Sequence, residues 1–146
     1  MRLLKVIVTF MDVSASMEIE NELVRRNEFF EQIFETAGVI IVATDVNGKI
    51  LRFNGFGEQL TGFLEKEIAG KFVFDTLIPQ KEHTRSTGII EELKEKGFMT
   101  GENYVQSKDN RKILVKLNAS VLRSVTNGEH SFLVVGHDVS ELRTVA

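Results

Sequence analysis

Cysteine is absent from this chain of 146 residues. The absence excludes disulfides, thiolate nucleophiles, cysteine-based zinc sites and any cysteinyl photoadduct, and it suits a reducing, cytoplasmic setting. Proline occurs once, at Pro79, so there is no long proline-rich linker. Tryptophan is missing and Tyr104 is the single tyrosine. The net charge of -3 leaves no basic field to gather nucleic acid or anionic lipid. Long hydrophobic runs are missing too. The best candidate, Leu3–Met11, is about half the ~20 residues of a spanning helix and is interrupted by Lys5, so no membrane span is expected. What is present suits a globular domain: 42% hydrophobic and 27% charged residues, in a length sufficient for one core without staples.

The residues Leu3–Phe10 are β-branched and aromatic enough to predict a short strand. Met17 to about Thr36 contains neither Gly nor Pro. There Ile19, Leu23, Phe30, Ile33 and Ala37 follow a spacing close to a heptad seam, which Arg26 interrupts. A helix is expected, either lying on its own domain or pairing with a second copy. Val39–Thr44 then reads as a strand. Asp45-Val46-Asn47-Gly48 reads as a two-residue hairpin turn, because Asn-Gly supplies positive φ angles. Lys49–Asn54 alternates, with Ile50 and Arg52 on one face and Leu51 and Phe53 on the other. Three short clusters follow (Phe56–Leu60, Leu64–Ile68, Phe72–Leu77), whose bounding glycines favour separate helical turns.

After Pro79 a longer helix is predicted over Glu82–Lys96, closed by Gly97, with Lys94 and Lys96 suiting the negative end of its dipole. The remainder is β: Thr100–Ser107, a Lys108-Asp109-Asn110 turn, a long alternating strand Arg111–Arg123, and Ser131–His137. The expected fold is α+β, a five-stranded antiparallel sheet with short helices and one longer helix on one face, preceded by an amphipathic N-terminal helix. A repeat is visible as well. Val6–Ser14 resembles Leu133–Ser140, each a strand-like run ending in Asp-Val-Ser, so residues 1–25 read as a strand and connecting or dimerisation helix, the tail of an upstream unit or a mimic of one.

The pieces taken together, in this order and spacing, resemble the PAS family over about residues 26–146. The resemblance is carried by Glu28–Phe34, Val39–Val42, Asp45–Ile50, Asn54, Leu60-Thr61-Gly62-Phe63, Glu67–Lys71, Leu77-Ile78-Pro79, Lys108-Asp109-Asn110 and Asp138-Val139-Ser140. The chain departs from the pattern at Asn54-Gly55, where Asn-Pro is usual. The resemblance implies a sensory domain over 26–140, with 141–146 beginning an outgoing helix to a kinase, cyclase or transcriptional output domain. It implies that Asp138 couples the core to that helix, which Ser140 caps. Asn54, at a strand end, suits an amide that ties loop backbone groups.

The resemblance also implies haem, flavin, a small metabolite or nothing between the sheet and the longer helix. Haem needs an axial ligand, usually an imidazole. The family's haem sensors carry it seven residues after the proline, and Ser86 stands there. His83 lies nearly a turn earlier and serves only if the helix begins or rotates differently. For a metabolite, Arg85, with Ser86 and Thr87, supplies the candidate donors to a carboxylate. The three histidines, His83, His130 and His137, show no metal-ligand spacing. No nucleotide loop, phospho-acceptor helix or DNA-binding helix pair is present, so no enzymatic activity is expected of this chain. Three readings stand: a ligand-sensing module that dimerises through its N-terminal helix and sheet, a purely structural dimerisation domain, and a small cone-like enzyme using Tyr104 with an Asp.

Overall fold

The computed structural model describes residues 2–124 and 126–139, with residues 2–16 described by their backbone alone. It forms two compact units, Met1–Glu35 and Thr36–Ala146. The first unit is one long helix, α1 (Arg2–Thr36). The strand expected over Leu3–Phe10 is therefore a helix, and so is the first Asp-Val-Ser stretch. The β-branched run is short and, among the described residues, has no partner strand, whereas a helix satisfies its N–H and C=O groups internally. No Gly or Pro interrupts the chain before Gly38. Met17, Ile19, Leu23, Val24, Phe29, Phe30 and Ile33 are all exposed on α1. Phe30 stacks on Phe34 with ring centres 5.9 Å apart. At the interrupted seam position, the Arg26 guanidinium pairs with Glu22 at 2.7 Å.

The second unit is built on a five-stranded antiparallel sheet of β1 (Ile40–Asp45), β2 (Ile50–Phe53), β3 (Phe98–Gln106), β4 (Lys112–Arg123) and β5 (His130–Asp138), in the order β2-β1-β5-β4-β3. Between β2 and β3 come α2 (Gly55–Thr61), α3 (Glu65–Ile68), α4 (Val73–Thr76), a 3₁₀ turn over Gln80–Glu82, and α5 (His83–Lys96). Strand alternation sets the core: Ile113, Val115, Leu117 and Ala119 are buried on β4 while Lys112, Lys116, Asn118 and Ser120 are exposed. Ile40 and Val42 from β1 and Phe132 from β5 join the same core, which Leu77 and Leu93 cover from the helical side.

Two local expectations need correction. The first hairpin loop has three residues, not two. Gly48 N donates to Asp45 O at 3.1 Å, and Asp45 Oδ1 accepts from Asn47 N and Lys49 N, each at 2.9 Å. Gly48 carries the positive φ of 89° alone, as the three-residue form requires. Nor does β2 alternate to its end. Ile50 and Phe53 are both buried and Leu51 is exposed, because Arg52 pairs with Ala43 and Ile50 with Thr44, which leaves Leu51 as a bulge that breaks the period of two.

The helical layer is fixed to the sheet by hydrogen bonds. Ile50 N donates to Lys71 O, Gly70 N to Ile50 O and Val73 N to Gly48 O, which docks the start of α4 on β2. Gln106 N donates to Leu77 O, and Lys108 N to Thr61 O, both at 2.7 Å. The Lys108 ammonium also reaches Glu67 at 2.6 Å, and this contact, with the Leu64 backbone, holds the Glu67 carboxyl below its ordinary value.

Candidate functional site

Helix α5 crosses the core face of the sheet and leaves a cavity of about 110 Å³ between them. Its walls come from all five strands, α5 and the stretch around α4: Val42, Phe53, Leu117 and Phe132 from the sheet, Ile90 and Leu93 from α5, Phe74 and Leu77 from α4 and the residue after it. None of the residues around it is Asp, Glu, Lys, Arg or His. The polar side chains are Thr44, Ser86 and Asn103, all buried. Asn103 Nδ2 donates to Ser86 Oγ at 2.7 Å, and Asn103 Oδ1 accepts from Tyr104 N at 2.9 Å. The second bond fixes the amide's orientation, with its NH₂ end toward Ser86. Thr44 Oγ1 donates to the Asp45 carbonyl at 2.9 Å.

The residues singled out from the sequence are not all brought together. Ser86 faces the cavity, but its neighbour Arg85 is exposed and takes no part in the lining. Consecutive helical residues point about 100° apart, so Arg-Ser-Thr cannot present three donors to one space. His83 is turned elsewhere. Its Nε2–H is shared between Phe74 O at 2.8 Å and Ile78 O at 3.1 Å, and the ring stacks on Phe74. It fastens the turn that starts α5. Haem does not fit here: the imidazole outside the lining is committed to backbone carbonyls, and about 110 Å³ lies below the ~300 Å³ at which cofactor pockets begin.

Asn54 sits outside the cavity as a buried junction. Its Oδ1 accepts from Gly57 N at 3.1 Å, capping α2, and from Ile41 N at 2.9 Å, while Nδ2 donates to Val39 O at 2.8 Å. Asp138 ends β5 opposite Val115 of β4, and Val139 N donates to Leu114 O at 3.1 Å. Ser140 and residues 141–146 lie outside the described residues. His137 is exposed on β5 beside Lys116 of β4. His130 is exposed at the start of β5.

Sequence reading missed Asn103 and Thr44. The available signal was position: Met99, Asn103 and Val105 fall on the core-facing period of β3, and an amide among them marks a polar group kept inside. Its partner on α5 carried no such signal.

A family model described as the PAS fold matches residues 28–139. Among solved structures, the PAS domain of a protein from Colwellia psychrerythraea is 20% identical, covers 82% of this chain and 98% of its own, and superposes with a TM-score of 0.70. A domain of a sensory box sensor histidine kinase/response regulator from Geobacter sulfurreducens is 18% identical, with 80% and 96% covered and a TM-score of 0.65. The Cronobacter turicensis RpfR quorum-sensing receptor PAS domain in complex with BDSF is 22% identical, with 73% and 98% covered and a TM-score of 0.59. No curated protein sequence matches.

Proposed function

The chain belongs to the PAS family, and from this we propose that it is a sensory unit of a signal-transduction protein. It reads a small molecule in the cavity under α5 and passes the change to the segments at its two ends. The observation that carries the reading is the cavity itself. A module serving only as a spacer gains by filling its core, since voids forfeit packing contacts. Here about 110 Å³ is held open beside a buried polar pair. Binding of BDSF by the RpfR domain supports the same use of the fold.

Transmission runs along β5 in this reading. Phe132, Val134 and Gly136 line the cavity, and Asp138 ends the same strand. A ligand that shifts β5 moves Asp138 and the outgoing segment that Ser140 begins. The output is a kinase, cyclase or transcriptional domain joined to the same protein, and the Geobacter sulfurreducens relative, a sensor histidine kinase/response regulator, supports that arrangement. The exposed apolar positions Ile19, Leu23, Phe30 and Ile33 on α1 support pairing with a second copy. The lack of cysteine supports a cytoplasmic setting. No helix among the described residues is long and apolar enough to cross a membrane.

The test is a thermal-shift screen of small molecules against the wild-type chain and Ala119→Leu, whose longer side chain occupies the cavity. The sensory reading expects at least one compound that raises the wild-type melting temperature and leaves the variant unchanged. If no compound separates the two proteins, and native mass spectrometry finds none retained, the chain is a structural dimerisation module.

A further inference from the structure

We infer that the cavity takes a compact, uncharged, mostly apolar molecule bearing one oxygen acceptor, which is set against Ser86 and Asn103. The inference rests on the sensory reading above and narrows it to a ligand class.

Size comes first. An apolar cavity of ~150 Å³ holds a molecule the size of benzene. At about 110 Å³ this one suits a molecule no larger than benzene, of at most about six heavy atoms.

Charge comes next. Since none of the lining residues is ionisable, a carboxylate, phosphate or ammonium entering the cavity loses its hydration without gaining a counter-charge. Arg85, expected from the sequence to receive a carboxylate, is exposed on another face of α5 and does not offset that cost. A neutral ligand therefore takes the place of the expected carboxylate.

Hydrogen-bonding capacity sets the remaining feature. Asn103 Oδ1 is engaged by the Tyr104 N–H, and one Nδ2 hydrogen by Ser86 Oγ. An amide nitrogen carries two hydrogens and a serine hydroxyl one of its own. The capacity left at this pair includes both of these donor hydrogens, and a ketone, aldehyde or ether oxygen answers them. Thr44 adds little, because its hydroxyl already donates to the Asp45 carbonyl. A hydrocarbon of the same shape fills the cavity but leaves those donors unanswered.

Three probes of six heavy atoms each separate the terms: cyclopentanone, benzene and cyclopropanecarboxylate, titrated at neutral pH into the whole ¹⁵N-labelled chain. Amide shifts at Ser86 and Asn103 locate binding. Cyclopentanone is expected to bind with shifts at both residues, benzene about three- to tenfold more weakly, and the carboxylate not measurably. In Ser86→Ala/Asn103→Leu, which keeps the cavity's shape, the preference for cyclopentanone over benzene should vanish while both still bind. Should that variant fail to fold, the wild-type ranking alone decides. Tighter binding of the carboxylate, equal binding of ketone and benzene, or no binding of any probe overturns the ligand class. If the class is overturned while the screen against Ala119→Leu still finds a cavity ligand, the sensory reading stands. If that screen fails as well, both fall.

Discussion

The side-chain amide of Asn103 on β3 reaches across 2.7 Å to the hydroxyl of Ser86 on α5, joining sheet to helix beside the cavity. Both residues are at most 3% exposed. In such a site, removing one partner leaves the other's polar group buried and unanswered, at a cost of about 1–3 kcal/mol, whereas replacing both by apolar groups costs much less than twice that. Ser86→Ala and Asn103→Leu are each expected to lower stability within that range. Their combination should lower it by at least ~1 kcal/mol less than the sum. Urea unfolding of the four proteins measures the coupling, and strict additivity would show that the bond is not formed in solution.

Asn54 concentrates more structure in one side chain. Its amide caps α2 through Gly57 N and holds the entry to β1 through Ile41 N and Val39 O. Truncation to alanine removes a cap worth ~1 kcal/mol and strands two backbone groups at the entry to β1. Asn54→Ala should therefore lose about 3–5 kcal/mol, measured by chemical denaturation. A loss below ~1 kcal/mol would mean water replaces the amide and that Asn54 is no junction.

How far the sequence could lead depended on the range of the interaction. Ile113, Val115, Leu117 and Ala119 announce a half-buried strand because period two is a local property, and β4 follows it. Gly97 is legible for the same reason, and so is the presence of a turn at Asp45–Gly48, though not its length. The run Leu3–Phe10 misled because β propensity describes fit to a sheet, and the described residues offer that run no neighbouring strand. The site was only half legible. Ser86 could be placed by its distance from Pro79, but its partner Asn103 lies 17 residues away on an edge strand. Only the closed topology brings the two together. Arg85 failed for a geometric reason, since a helix turns consecutive side chains to different faces.

Arg26 offers a test of the proposed pairing of α1 with a second copy. It stands in the seam of Ile19, Leu23, Phe30 and Ile33, and its guanidinium is held by Glu22 on the same helix. A polar residue at one seam position weakens a coiled coil and selects its register. Arg26→Leu should tighten self-association by about tenfold or more, and Phe30→Glu should abolish it. Sedimentation equilibrium over a range of concentrations reads both. A chain that stays monomeric with Arg26→Leu would remove the pairing role from α1.

Two helical glycines should answer the same substitution in opposite directions. Alanine is favoured over glycine in a helix interior by about 0.8–1 kcal/mol. Gly88 lies exposed in α5, and a Cβ built there meets nothing within 4 Å. Gly88→Ala should raise stability by close to the full propensity difference. Gly57 lies buried in α2, where a Cβ would sit 2.6 Å from Phe53 Cε1 and 3.2 Å from Asn54 Oδ1. Phe53 is itself buried and packed, so its ring cannot swing aside without disturbing the core. The same added methyl group must displace either the ring or the capping amide, and overpacking of this kind costs about 1–3 kcal/mol. Gly57→Ala should therefore be destabilising despite its better helix propensity. Thermal unfolding of the two variants beside the wild type checks the signs. Stabilisation by both would show that α2 stands further from Phe53 than 2.6 Å implies, and the close approach that Gly57 permits would lose its role in holding Asn54 at the end of β2.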